Sequence, residues 1–541
     1  MRKTNDKKIF FGLLLIFLII ELLSFLGFKN ILAGQIIFFG LTLLTAGLTI
    51  YKLEYGLLII LGELFIGSLG HLFFWPLINA DFSFKLGIRT ALWAIFMLIF
   101  LIKFLIQLKK AGRDSLYWQN IKKFFSGKIF SLGHRGKLFL ILFGFIIIGL
   151  INGLVRGHSL SIIFSDFNNW LYCLLLFPLL AVYGRGSTDR ALASAGVNTG
   201  GGSRDDGTNA KANDTDINIE GKKNNTERET KIQRLKILFL AGAVWIALKT
   251  LFLLFVFTHD SAIAPDIYLW LRRTLVGEMT PTKSGWPRIF IQGQIFPVIA
   301  FLAIFWQEAI QKKFISFFRR PERLKNFLGL FLAALFFTAL IISFSRSFWV
   351  AFAVAGFFSW LALWRLKGFK IAWRGAAWLG GAATLGFILI YLTIAFPYIQ
   401  APSTNLSANL IARVSGGSDE PALASRWSLL PVLSAEIKKE PLFGQGFGAT
   451  VTYFSRDPRI LENNPSGEYT TYAFEWAYLD IWLKIGLFGL LSYLILIFNL
   501  IFRAWLSRKD EKNAGLVLAL AAGLLFLAVT NIFTPYLNHP L

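Results

Sequence analysis

Apolar runs of about 20 residues recur from one end of the chain to the other, and no other feature of the sequence limits its fold so strongly. A run of that length matches the roughly 30 Å hydrocarbon core of a bilayer. The runs fall near 9–28, 31–50, 55–78, 86–108, 138–155, 166–184, 235–257, 290–307, 327–344, 347–364, 374–396, 476–502 and 513–531. Backbone polar groups in lipid are satisfied only by helices or closed barrels, and runs this long exclude a barrel. The expected fold is therefore an all-α polytopic membrane protein with about 12–13 transmembrane helices. A composition of 55% hydrophobic and 16% charged residues excludes both a soluble enzyme and a disordered scaffold.

The formal net charge of +24 first suggests nucleic acid, but its placement says otherwise. The first run follows Arg2, Lys3, Lys7 and Lys8 and has no small-residue cleavage site after it, so it reads as a retained helix with a cytoplasmic N-terminus. Alternating from there, the inside loops collect the basic clusters. One runs from Lys109 to Lys137, and a second from Lys312 to Lys325. The third holds Arg365, Lys367, Lys370 and Arg374, and the last runs from Arg503 to Lys512. The excess charge is then mostly topological, and no nucleic-acid partner is expected.

Five divisions follow: helices over 1–184, a disordered cytoplasmic loop over 185–234, helices over 235–396, a folded extracytoplasmic loop over 397–475, and helices over 476–541. The 185–234 segment is rich in Gly, Asn, Thr and Asp and nearly free of aromatics, so it cannot bury a core. The 397–475 segment carries Trp427, Leu429, Leu433, Ile437, Phe447, Tyr453 and Tyr472, which can. Within it, residues 422–439 have helical apolar spacing.

Chemistry is sought where charge runs against topology. Arg346, in Ser345-Arg346-Ser347, falls at a tight outside turn. Arg272, Arg273 and Arg288 fall in another outside loop, and Arg413, Arg426, Arg456 and Arg459 in the large one. The guanidinium fork binds phosphate in bidentate fashion, and a lipid diphosphate headgroup would sit at that depth. These arginines also suit a plain interfacial role, with the stem in lipid and the head in water. Gly444, Gly446 and Gly448 alternate after Pro441, a pattern suited to close backbone approach or to anion binding through N–H groups. Glu475 lies at the edge of the twelfth run, where a partly desolvated carboxylate can act as a general base. Asp480 and Lys484, one turn apart, are expected to neutralise each other inside the membrane. Glu21, Glu63, His71 and Lys249 are intramembrane polar groups without an assigned role. One cysteine (Cys173) excludes intramolecular disulfides, and five histidines without an HExxH pattern argue against a zincin-type protease.

These features, in their order along the C-terminal half, resemble the O-antigen ligase / O-antigen polymerase-like membrane proteins. The resemblance rests on Ser343-Phe344-Ser345-Arg346-Ser347, then Arg426-Trp427, then Pro441 with Gly444, Gly446 and Gly448. Glu475-Trp476-Ala477-Tyr478-Leu479 and Gly486-Leu487-Phe488-Gly489 complete it. Arg156-Gly157 and Asp166 match more loosely. The chain departs from the ligases at Glu475, where they carry a His.

The resemblance implies an enzyme of the bacterial cytoplasmic membrane. It would transfer a glycan from a polyprenyl-diphosphate carrier to a glycan or lipid acceptor hydroxyl at the outer face, with inversion and with neither cofactor nor metal. Arg346 and Arg426 would stabilise the departing diphosphate, and Glu475 would take the acceptor proton. Arg288, Arg413, Arg156 and the three loop glycines would bind substrate. A transporter or flippase of envelope lipids or glycans is the alternative, and would require two similar halves with broken spans.

Overall fold

A computed structural model of the protein describes residues 2–79, 82–110, 134–184, 209–259, 261–281, 286–310, 323–397, 410–411, 421–456, 458–462, 464–506 and 514–537. Among these, eleven helices are long and apolar enough to cross a membrane. The chain is an all-α polytopic membrane protein, with three two-stranded antiparallel hairpins as its only sheets among the described residues. It divides into two compact units that do not follow the sequence divisions at 184, 234, 396 and 475. One comprises Met1–Ile66, Leu72–Phe104 and Cys173–Gly242; the other comprises Gly67–His71, Leu105–Tyr172 and Ala243–Leu541.

The first unit contains helices α1 (Arg2–Lys29), α2 (Ile31–Tyr51) and α3 (Leu53–Ile66), and a hairpin of β1 (Phe74–Asn79) with β2 (Phe82–Gly87). Most of α4 (Ile88–Lys110) also lies in it. Asn30 separates α1 from α2, and its side chain accepts the N–H groups of Leu32 and Ala33, as N-caps do. The third apolar run, expected to be helical over 55–78, ends as a helix at Ile66. At 14 residues, or about 21 Å, α3 is short of the hydrocarbon thickness. The reason is local. Gly67, the left-handed Ser68 and Gly70 break the helix, and Pro76 lies in the hairpin that follows. Buried Glu63 pairs with Arg89 through two hydrogen bonds of 2.7 and 3.3 Å, which accounts for one of the unassigned intramembrane acids.

The next helices are α5 (His134–Val155), α6 (Leu160–Leu171), α7 (Leu176–Tyr183) and α8 (Asn209–Thr258). The sequence division put loop up to residue 234, but α8 begins at Asn209. A helix already nucleated by an apolar span extends cheaply into polar residues, and the Glu227–Lys231 pair at i,i+4 adds to it. Residues 185–208 lie outside the described residues.

The second unit continues with α9 (Ala264–Thr274), β3 (Gly277–Pro281), β4 (Pro287–Ile291), α10 (Ile295–Ile310), α11 (Arg323–Ile342), α12 (Arg346–Lys367) and α13 (Phe369–Ala395). It then has α14 (Pro421–Lys439), β5 (Val451–Phe454), β6 (Glu468–Thr471), α15 (Ala477–Leu506) and α16 (Ala514–Phe533). Helix α16 packs against α10, α12 and α15, with α11 against α10, α13 against α11 and α12, and α5 against α15. Helix α13 begins at Phe369, so Lys370 and Arg374 lie in its first turns rather than in a loop.

The expected amphipathic helix is present as α14. Its buried residues Leu429, Leu433 and Ile437 recur every four positions and pack on Ala449, Val451, Phe474 and Leu483. The described part of the 397–475 segment is thus folded onto α15, with its own apolar cluster.

Candidate active site

A cavity of about 520 Å³ lies within the second unit. Its wall includes Arg272, Arg288, Arg346, Arg426, Glu278 and Glu475. Four guanidiniums against two carboxylates leave it formally cationic.

Each arginine is delivered by a different local device. Arg346 opens α12, so its charge adds to the positive end of the helix dipole. Ser345, at the N-cap position, makes no capping bond and directs its hydroxyl to that of Ser347 at 2.9 Å. The turn before it is braced. Phe344 is fully buried with φ of +49°, a conformation that costs a non-glycine residue about 1 kcal/mol or more. Ser343 Oγ accepts the Ser345 N–H, and the Ser343 carbonyl accepts Arg288 Nε at 3.4 Å. Along β4 burial alternates, which puts Ile289 and Ile291 in the core and Arg288 and Phe290 on the cavity face. The Arg288 guanidinium lies 5.5 Å from the Phe290 ring centre. Arg272 comes from the last turn of α9.

Arg426, on the second turn of α14, makes a bidentate ion pair with Glu475. Nη2 is 3.0 Å from Oε1, and Nε donates to Oε2. The Glu475 side chain is 51% exposed. The protein itself does not supply the partial desolvation expected for it, because the residue projects into the open cavity. Its flanks are fixed: Trp476 Nε1 donates to the Arg426 carbonyl at 3.1 Å, and Phe474 is buried. Hydroxyls of Ser345, Ser347, Ser425, Ser455 and Thr534, with Tyr453, complete the polar lining. Ser425 Oγ lies 3.0 Å from Ser455 Oγ and accepts the Arg456 N–H, which ties α14 to the end of β5.

The structure thus brings Arg346, Arg426, Glu475 and Arg288 together. It does not bring in the others. Arg156 pairs with Glu440 at 2.9 Å and does not line the cavity. Arg413 lies outside the described residues, as does the Arg459 side chain. The loop glycines serve packing rather than anion binding, because their N–H groups are already spent. Gly444 donates to Glu440 O, Gly446 to Lys484 O, and Gly448 to Asp166 Oδ2. The loop 441–448 is wedged between α5 and α15. Gly486, with φ of +73°, kinks α15 so that the Leu487 N–H reaches the Pro441 carbonyl.

The expected Asp480–Lys484 pair is present at 2.5 Å, and Asp166 joins it at 2.6 Å from the same ammonium. Sequence reasoning placed Arg272 among the outside arginines without giving it a substrate role, and it missed Ser425, Ser455 and Thr534, because nothing local marks residues that meet only across hairpins.

Beside the glycine wedge, Glu436 is bound by Lys439 at 2.6 Å and by Gln445 at 3.1 Å. Burial acts to raise its pKa, but these hydrogen bonds outweigh it and the carboxyl is held below its ordinary 4.5. A depressed folded-state pKa contributes stability above the unfolded value, and that stability disappears as pH falls through the folded value. Glu436→Gln is therefore expected to lower thermal stability in detergent at neutral pH, with the gap from wild type closing once pH drops below about 4.5. A gap that stays constant through that range would show that the carboxylate contributes nothing as a charge.

The helices and the cavity define a multi-pass membrane protein with a cationic, hydroxyl-lined site at the end of its helical bundle. Residues 331–494 match the family model described as O-antigen ligase. The chain carries an O-antigen ligase-like region, and the match spans α12, α14, Arg346, Arg426 and Glu475. No curated relative and no solved structure matches the chain. The class of activity is glycan transfer of the O-antigen ligase/polymerase type.

Proposed function

We propose that the protein transfers a glycan from a polyprenyl diphosphate to an acceptor hydroxyl at the outer face of the bacterial cytoplasmic membrane. The observation that carries this reading is the convergence of Arg288, Arg346, Arg426 and Glu475 on one cavity. In the reaction, the bond from the anomeric carbon to the diphosphate oxygen breaks and a bond to the acceptor oxygen forms. The leaving diphosphate gains negative charge, which Arg346, Arg288 and the N-terminus of α12 offset. The cationic charge comes from guanidiniums, so the step is assigned no metal. Glu475 takes the acceptor proton. Its pairing with Arg426 leaves lone pairs unused, since a carboxylate offers about four acceptor sites. Arg426 likewise keeps N–H donors beyond the two on Glu475, out of about five in the group. Attack opposite the leaving group inverts the anomeric centre.

The geometry of α12 supports an outer-face site. The helix is about 33 Å long, with Arg346 at its start and Arg365 and Lys367 in its last turn. A basic cluster at the far end suits the cytoplasmic side, which leaves the cavity on the other.

The reading is tested by replacing Arg346, Arg426 and Glu475 singly with Ala, verifying insertion, and assaying transfer from a lipid-linked donor. Loss of one aimed cationic donor is expected to lower turnover by about 10²–10³-fold. Wild-type transfer by all three variants would overturn the assignment. In a deletion strain, single-repeat lipid-linked units indicate a polymerase, and long polymer on the carrier indicates a ligase.

A further inference from the structure

We propose that Lys484, buried 318 positions from its partner Asp166, is a positioning residue that sets where Glu475 stands; this rests on the reading of Glu475 as the base. The Lys484 side chain is only 2% exposed, yet it makes contact in four directions. Its ammonium is 2.6 Å from Asp166 on α6 and 2.5 Å from Asp480 on its own helix. It donates to the Tyr472 carbonyl at 3.0 Å and lies 5.5 Å from the centre of the Phe474 ring. Neutralising the two aspartates would need only the first two contacts. The other two fall on residues 472 and 474, the segment that ends in Glu475.

The remaining geometry makes the segment sensitive to this one side chain. The ammonium holds the Tyr472 carbonyl and faces the Phe474 ring, which also packs in the apolar cluster under α14, while Trp476 is held by the Arg426 carbonyl. Glu475 is thus suspended between two anchors, one of them Lys484. The aspartates in turn fix the ammonium. Asp166 also accepts the Gly448 N–H at 3.0 Å, and the Lys484 carbonyl accepts that of Gly446, so the anchor is tied to the glycine wedge and to α6. Without the ammonium, the 472–475 segment loses a hydrogen bond and a ring contact. Two carboxylates would also be left buried without their cation, a strongly unfavourable arrangement. A base displaced by about 1 Å can cost a hundredfold in rate.

The test uses the full-length protein in proteoliposomes with a lipid-linked glycan donor. Lys484→Met and Phe474→Leu are each made in the wild type and in Glu475→Gln. Phe474→Leu removes one anchor contact without unbalancing the buried charge, so it stays informative if Lys484→Met does not insert. In the wild-type background, kcat is expected to fall about a hundredfold for Lys484→Met and about tenfold for Phe474→Leu, with donor KM changed less than about threefold. In the Glu475→Gln background neither change should lower the residual rate further, because what they misplace is already gone. Equal losses in both backgrounds, or a rise in KM with kcat intact, would overturn the positioning role. If Glu475→Gln falls while both other variants keep wild-type turnover, this inference alone fails. If Glu475→Gln itself transfers at the wild-type rate, the base assignment fails, and the inference with it.

Discussion

Glu475→Gln is expected to insert and fold normally and to lower glycan transfer by about 10²–10⁴-fold, the range lost with a general base. The amide is nearly isosteric with the carboxylate, and its oxygen can still accept one hydrogen bond from Arg426. The cavity keeps its shape and gains one unit of positive charge by losing an anion. Donor binding should therefore hold or tighten while turnover falls, which separates proton transfer from binding. Glu475→Ala should lower turnover at least as far as Gln, because it also loosens Arg426, which would lose both of its bonds to this residue. The informative readouts are single-turnover transfer and donor affinity on the same preparations. A fall in affinity with turnover intact would make Glu475 a clamp for Arg426 rather than the base.

Which parts of this site could be read from the sequence follows from the length scale of each signal. Each of the thirteen apolar runs contains a helix, because an apolar stretch of about 20 residues carries a strong compositional signal, but the third gives way after Ile66 to a break and a hairpin. Arg346, Arg426 and Glu475 stood out by charge against topology and by the ordered motifs around them. The hairpins did not. Strands of four to six residues such as β4, whose Ile289 and Ile291 are apolar, merge into the neighbouring helical run, and Arg288 with Phe290 then appears as its ragged edge. The loop glycines announced a close approach but not what approached. The partners of Gly446 and Gly448, namely Asn152, Gly153 and Ile163, lie nearly 300 positions away. Asp166 and Lys484 likewise meet only in three dimensions, so one of the two ion pairs in the buried cluster had no local signature.

Gly446→Ala is expected to be among the most damaging small substitutions at the described positions. An added Cβ would come within 2.2 Å of the Gly153 nitrogen and 2.7 Å of both the Asn152 carbonyl carbon and the Gly153 Cα. All three are backbone atoms of α5, so no side chain can rotate away. The position also has φ of +91°, outside what an L-residue adopts without strain. Left-handed backbone costs about 1–2 kcal/mol, and overpacking a tight interior about 1–3 kcal/mol or more. The contact is reciprocal, because a Cβ on Gly153 would meet the Phe447 carbonyl oxygen at 2.2 Å. One methyl group should therefore push the 441–448 loop out of its seat between α5 and α15. That shift would break the Gly446 bond to the Lys484 carbonyl and disturb the Asp166–Lys484–Asp480 cluster behind it. Gly144→Ala in the same α5 is the matched control. Nothing lies within 4 Å of its added Cβ, so it should be neutral or stabilise by up to about 1 kcal/mol through helix propensity. Thermal denaturation in detergent, together with the yield of monodisperse protein, reads the difference. The expected order is Gly144→Ala at or above wild type and Gly446→Ala far below it, and equal stability of the two would show that the loop is not wedged between these helices.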